Sequence, residues 1–169
     1  INDFTKSGIE VILFKENYST ADSTTKFIDS IVSETVLLQK SIEASCQLVL
    51  DKSIDILFYL DIGMNSKTYL MSLSRLALVQ VTGLGHPITS GSPNIDYYIS
   101  SKYMETEDSD KYYSEKLIRL NRYPTNYTIP KIKNSTFKRS KLSLKEKDFL
   151  IGLPHTIFKY HPDFDSILD

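Results

Sequence analysis

Two nearly continuous runs of apolar residues, 54–60 and 76–82, are separated by a stretch with the pattern of a short helix. Runs this short and this apolar are typical of strands covered on both faces. Two parallel strands need a crossover connection between them, and the intervening helix supplies one. The order strand, helix, strand therefore predicts an α/β protein with a parallel sheet and helices on both of its faces.

Weaker signals extend this pattern along the chain. Further strands are predicted at residues 9–14, 95–99 and 117–120, whereas 35–38 fits either a strand or a helix. Helices are predicted after a cap at Asp22 or Ser23, and over residues 42–52, 66–75 and 108–116. In the helix 66–75, we expect Tyr69, Leu70 and Leu73 to form the buried stripe.

Glycines follow two of the predicted strands, at Gly63 and in the segment GLGHPITSG at residues 83–91. Ligands of parallel α/β sheets gather at the carboxyl ends of the strands, where both segments are expected to lie. The second segment is not a Walker A loop, since it lacks the lysine, and its spacing differs from the dinucleotide fingerprint. From spacing alone, it is as consistent with a structural turn as with a binding loop.

The character of the chain changes after residue 120. Residues 121–147 contain Pro124 and Pro130 and a lysine-rich stretch without periodicity, which favours a solvated linker over a binding patch. A fresh strand is predicted at 149–153, and an amphipathic segment at 164–168. The chain opens on isoleucine and stops within this last segment, so we expect it to be a piece of a longer protein.

Composition excludes several classes of protein. The 20 basic and 21 acidic residues give a net charge of -1, which argues against a nucleic-acid-binding protein. No apolar stretch is long enough to span a membrane. The single cysteine, Cys46, cannot form an internal disulfide or a cysteine-rich metal site, so the simplest expected location is the reducing cytoplasm.

Several segments, in order along the chain, carry the resemblance to a known family. They are LVQVTGLGHPITSG at 78–91, an Asp-Tyr pair at 96–97, YSEKL at 113–117, ILFY and IGM at 56–64, and IG, TIFK and HP between 151 and 162. Together they resemble the O-GlcNAc transferase and SPINDLY-like glycosyltransferases. The segment at 56–64 is most similar to the bacterial cytoplasmic branch that N-glycosylates high-molecular-weight adhesins.

This resemblance implies a GT-B fold, in which two Rossmann-like domains face each other across a cleft. Residues 1–125 would be part of the N-terminal domain, 126–147 a linker, and 148–169 the start of the C-terminal nucleotide-sugar-binding domain. The implied donor is a UDP-sugar, and no cofactor or metal is required, so protein groups would stabilise the diphosphate leaving group. Because most of the nucleotide-binding domain would lie beyond Asp169, we expect this piece to be inactive alone.

The resemblance also implies site residues. Lys159 matches the lysine that contacts the diphosphate, where a compact positive charge meets developing negative charge. The positions that match donor-contacting residues of the family are Leu84, Gly85, His86, Pro87 and Thr156. The family accepts tyrosine in place of His86, so this histidine is interpreted as contacting the sugar or acceptor or fixing the loop, and not as a general base.

Two classes of function remain open at this point. The first is an inverting enzyme that transfers a sugar from a UDP donor to a protein side chain. Asparagine is slightly favoured over serine or threonine, and an adhesin is one candidate acceptor. The second is a non-catalytic Rossmann-like module with a binding or scaffold role.

Overall fold

A computed structural model describes residues 1–16, 21–83, 85–125, 129 and 138–168. The chain divides into two compact units, Ile1–Tyr127 and Thr128–Asp169. The assignment of residues 1–125, 126–147 and 148–169 to GT-B domains and a linker stays a prediction. Within the described ranges, no helix is long and apolar enough to cross a membrane.

The first unit alternates short helices and strands. Its helices are α1 (Asn2–Lys6), α2 (Ser23–Ile31), α3 (Ile42–Leu50) and α4 (Ser66–Ser72). Its strands are β1 (Ile12–Lys15), β2 (Glu34–Leu37), β3 (Ile56–Tyr59), β4 (Val79–Gly83), β5 (Tyr97–Ser101) and β6 (Lys116–Leu120). The α/β class is thereby confirmed. The stretch 35–38, which fitted either element, overlaps strand β2, and α1 was not predicted.

All the strand pairs described are parallel. Strands β1 and β2 form one sheet, and β3, β4, β5 and β6 form a second sheet in that order. In the second sheet, Tyr59 lies opposite Thr82, which in turn lies opposite Tyr98. The register therefore brings the carboxyl ends of β3, β4 and β5 to one edge of the sheet.

Strand β3 of the four-stranded sheet is covered on one face, not on both. Parallel strands that follow each other in sequence order, with right-handed crossovers, place every connection on the same face. The burial of β3 shows the result: Leu57 and Tyr59 are buried in a core cluster with Met71 of α4, whereas Ile56 and Phe58 are 63% and 40% exposed. The prediction that residues 54–60 are covered on both faces is wrong for this chain.

Side-chain caps fix the starts of three helices. The Asp22 carboxylate accepts from the backbone N–H of Thr25 at the start of α2, as the sequence predicts. Ser41 and Asn65 cap α3 and α4 in the same way. Each cap satisfies a backbone N–H that has no partner inside the helix, so these starts are defined by local sequence.

Two details of the predicted helices are wrong. Residues 108–116 contain only a 3-10 turn, Ser109–Tyr112, because the Thr106 and Ser109 side chains bond locally and compete with helical hydrogen bonds. In α4, the residues facing the core are Met71 and Ser72. The predicted stripe of Tyr69, Leu70 and Leu73 is more than a third exposed at each position.

The second unit contains short turns. Within its described residues lie 3-10 turns at Arg139–Leu142, Ile157–Lys159 and Pro162–Phe164, followed by a helix, α5, at Asp165–Leu168. The predicted strand at 149–153 is not formed, and Phe149 and Ile151 are 91% and 78% exposed. A strand needs a hydrogen-bonded neighbour, and the described part of this unit contains no other strand to pair with.

One buried side chain joins the sheet to its connections. Gln80 of β4 is fully buried, and its amide oxygen accepts from the Leu76 N–H at 2.8 Å. Its amide nitrogen donates to the carbonyls of Ser74 at 3.0 Å and Asn94 at 2.7 Å. The side chain thereby ties the segment before β4 to the segment before β5.

Replacing Gln80 with leucine keeps the volume of the side chain but leaves one N–H and two carbonyls without their partner. We expect Gln80→Leu to lower the free energy of unfolding by about 3 kcal/mol, since each unsatisfied buried group costs roughly 1–3 kcal/mol. Gln47→Leu, on the exposed face of α3, is the matched control and should change stability by roughly 0.5 kcal/mol or less. Urea denaturation of both variants measures the difference, and equal losses would contradict this role of Gln80.

Candidate functional site

A cavity of about 170 Å³ lies at the carboxyl edge of the four-stranded sheet. Its lining combines the ends of β3 and β4, strand β5, helix α4 and the loop after β4, and includes Ile62, Gly63, Tyr69, His86, Thr89 and Tyr98. The position agrees with the edge where parallel α/β sheets bind ligands.

A second, wider cavity of about 410 Å³ adjoins the first. It is lined by residues 63–66 together with Tyr69 and Leu70, so Gly63 and Tyr69 contribute to both cavities. Tyr69 and Leu70, two of the three α4 side chains that were expected in the core, therefore line this cavity instead. Their partial exposure has a structural reason, because they form the wall of the candidate site.

Gly63 lets the His86 side chain approach the end of β3. Its φ of +86° lies in the left-handed region that side chains disfavour. A Cβ atom at this position would lie 2.8 Å from the Cβ of His86, well inside the normal contact distance of carbon atoms. Glycine is therefore required here both by the backbone and by the histidine.

The loop after β4 lies directly against the end of β3. A Cβ atom on Gly85 would lie 2.8 Å from the carbonyl oxygen of Leu60 and 3.2 Å from that of Ile62. The next residue is held from the other side, because the Tyr98 hydroxyl donates to the His86 carbonyl at 2.7 Å. The start of the loop is thus fixed between two strand ends.

Glu115 fixes the far side of the same loop. This buried carboxylate accepts from the Ser90 N–H at 2.8 Å, from the Ser90 hydroxyl, and from the Thr89 hydroxyl at 2.7 Å. Burial opposes ionisation, but the hydrogen bonds from Ser90 and Thr89 outweigh it and leave the pKa of Glu115 below its usual value. Sequence analysis matched Glu115 to a family segment but gave it no role. The signal was a carboxylate two residues before the predicted strand 117–120.

Three of the predicted donor residues lie in this unit. Gly85, His86 and Pro87 follow β4 in the loop beside the smaller cavity, and His86 lines it. His86 and Pro87 are exposed. Leu84 lies outside the described residues. The role of all four in donor binding stays a prediction.

The other two predicted donor residues share one turn of the second unit. Thr156 precedes the 3-10 turn Ile157–Lys159, and its carbonyl accepts from the Lys159 N–H at 2.9 Å. Both residues are exposed, and no described carboxylate lies within salt-bridge distance of the Lys159 amine. The roles of Thr156 and Lys159 in donor binding stay predictions.

In the portion of the chain that the structure describes, no group of three or more histidine, cysteine, aspartate or glutamate side chains is arranged to hold a metal ion. Cys46 is a free, half-buried thiol, and burial raises its pKa. A raised pKa disfavours the reactive thiolate.

Comparison with known proteins gives two informative similarities. The chain is 33% identical over 119 residues to the UDP-glucose:protein N-beta-glucosyltransferase of Actinobacillus pleuropneumoniae, a match that covers 64% of this chain and 17% of that protein. It superposes on an O-GlcNAc transferase mutant of Thermobaculum terrenum with a TM-score of 0.60 and 27% identity, covering 68% of this chain and 22% of the other. No family model matches the chain.

The chain is thus similar to protein glycosyltransferases, and its fold matches a fragment of a GT-B-like fold. These similarities confirm the resemblance of the chain to the O-GlcNAc transferase-like glycosyltransferases. The parallel four-stranded sheet corresponds to a fragment of that fold. The chain spans about a fifth of the length of these relatives, 17% and 22%.

The energetic cost of crowding His86 can be measured separately from the cost of placing a side chain at a left-handed backbone position. Gly8 has a similar φ of +78°, but nothing lies within 4 Å of a Cβ built there. We expect Gly8→Ala to cost about 1 kcal/mol from the backbone alone, and Gly63→Ala to cost roughly a further 1–3 kcal/mol as His86 is displaced.

Urea denaturation of the two variants measures this difference, and the NMR shifts of the His86 ring report its displacement. Equal stability losses, with unchanged His86 shifts in Gly63→Ala, would show that the close approach is unimportant.

Proposed function

We propose that the full protein transfers a sugar from a UDP-sugar donor to a side chain of another protein. The observation that carries this proposal is the 33% identity over 119 residues to a relative whose name gives UDP-glucose as donor and protein as acceptor. The position of the matched loop supports it, because residues 85–91 adjoin a cavity at the ligand-binding edge of the sheet.

Six residues are proposed to contact the donor. Leu84, Gly85, His86 and Pro87 would line the sugar, and Thr156 and Lys159 would contact the diphosphate. A loop that lines a sugar needs a fixed backbone, and the anchors at Gly85, His86 and Ser90 support this role. The exposed amine of Lys159 supports a contact with a charged ligand.

The proposed reaction inverts the configuration of the sugar. UDP-glucose holds glucose in an α linkage, and the name of the relative specifies a β product, so direct displacement accounts for the stereochemistry. The acceptor atom bonds to C1 of the sugar as the bond from C1 to the diphosphate oxygen breaks. UDP and one proton are released. Lys159 would stabilise the negative charge that develops on the diphosphate, without a metal ion.

We propose asparagine as the acceptor residue, on the strength of the N-linked product in the name of the relative. An adhesin is a candidate acceptor protein, and the cytoplasm the proposed location. The fold similarity to an O-GlcNAc transferase favours a second candidate, transfer of N-acetylglucosamine to serine or threonine. The donor and the acceptor distinguish the two activities.

The test uses the full-length protein with UDP-glucose or UDP-N-acetylglucosamine and peptides containing Asn-X-Thr or serine acceptors, in parallel reactions with EDTA and with added Mg²⁺. We expect a hexose added to asparagine, and a rate about 10²–10³-fold lower in Lys159→Ala, the usual effect of removing a group that stabilises transition-state charge. Lys147→Ala, another exposed lysine of the second unit, should retain the wild-type rate. Intact and peptide mass spectrometry measures the transfer.

The other outcomes also decide between candidates. Transfer of N-acetylglucosamine to serine or threonine would establish the second candidate. Transfer that requires added metal would overturn the metal-independent mechanism. No transfer from either donor, together with no binding of UDP, would contradict the enzyme and favour a non-catalytic Rossmann-like module.

A further inference from the structure

Glu115, the last residue before β6, accepts hydrogen bonds from a segment that is distant in sequence. Its carboxylate is buried and accepts hydrogen bonds from Thr89 and Ser90, with the Ser114 hydroxyl at 3.2 Å. Thr89 and Ser90 lie 26 and 25 residues before Glu115 in the sequence. The Ser114 N–H donates back to the Thr89 hydroxyl at 3.1 Å. We call Glu115, Ser114, Thr89 and Ser90 the carboxylate latch.

The latch holds one end of an otherwise exposed segment. At the other end, Gly85 lies against the end of β3, and the Tyr98 hydroxyl bonds the His86 carbonyl. Between these anchors, residues 86–88 are exposed. Their position therefore depends on the two anchors and not on burial of their own side chains.

The hydrogen bonds of the carboxylate latch are charge-assisted. An ionised carboxylate that accepts from N–H and O–H groups forms hydrogen bonds about twice as strong as neutral ones. The site is also buried, so an unpaired donor here would be costly. Loss of the carboxylate would leave the Ser90 N–H without its partner and allow residues 86–88 to shift.

We propose that Glu115 is a positioning residue that holds residues 85–88 where the donor sugar must be oriented, and so sets the rate of transfer without setting the affinity for UDP. This inference rests on the function proposed above. A displacement of about 1 Å in a positioning element can lower a rate by roughly 10²-fold. The uridine diphosphate is assigned to other residues, Thr156 and Lys159 among them, so its binding should not respond.

The test compares Glu115→Gln with Asp96→Asn in the full-length protein. Asp96 is a matched control, since its carboxylate also accepts from a backbone N–H, that of Gln80 at 2.7 Å, and from the Arg75 side chain. It directly precedes β5, level with Glu115 before β6, but its carboxylate bonds Gln80 and Arg75 and not the loop. Both substitutions convert a bonded carboxylate into an amide of equal size.

We expect kcat to fall at least about 10-fold in Glu115→Gln and to stay within about twofold of wild type in Asp96→Asn. The Kd for UDP, measured by calorimetry, should stay within about twofold of wild type in both variants. Equal effects of the two variants on kcat, or a weakened affinity for UDP in Glu115→Gln, would overturn the positioning role.

A double-mutant cycle tests whether Glu115 acts through the loop. Thr89→Val removes one hydroxyl of the latch while keeping the shape of the side chain. If both residues act through one latch, the effects of Thr89→Val and Glu115→Gln on kcat should be strongly non-additive. Additive effects would overturn the inference. Thr89→Val also supplies a readout if Glu115→Gln folds poorly.

The wild-type protein separates failure of this inference from failure of the proposed function. If wild type transfers no sugar and binds no UDP, both fail. If wild type transfers sugar and Glu115→Gln transfers it equally fast, the positioning role alone is overturned.

Discussion

The parallel pairing of β3, β4, β5 and β6 in sequence order is the constraint on which the rest of the first unit depends. It sends every crossover to one face, so the helix and loops pack over Leu57, Tyr59 and Tyr98. The same pairing brings the carboxyl ends of β3, β4 and β5 to one edge. The one-sided core and the position of the candidate site are thus two consequences of a single topology.

The covered face is not uniformly apolar. Toward β3 it contains Leu57 and Met71, and farther along it contains buried polar side chains, of which Gln80 and Ser100 are examples. The Ser100 and Tyr113 hydroxyls both donate to Glu105, and the ring of Tyr113 lies 4.7 Å from that of Tyr98. The Tyr98 hydroxyl in turn donates to the His86 carbonyl. These buried polar side chains are therefore connected to the loop of the candidate site.

Local patterns in the sequence predicted those parts of the fold that local physics determines. Apolar runs gave β3 and β4, and the Asp22 cap gave the start of α2. The exposed face of β3 was not predictable in this way, because the apolar run 54–60 looks the same whether one face or both are covered. Strand order decides that exposure, and strand order is not a local property.

In the candidate site, too, local sequence patterns predicted some residues, and contacts between distant segments determine the others. Gly85 and His86 were identified from the motif after β4, and the structure adds the reasons, a close approach to the end of β3 and a bond from Tyr98. The role of Glu115 depends on two partners about 25 residues away, and no single segment contains that information. A buried carboxylate needs such partners to remain ionised. The same hydrogen bonds that offset the cost of burying Glu115 therefore fix the position of the loop. They couple the stability of the sheet edge to the geometry of the site.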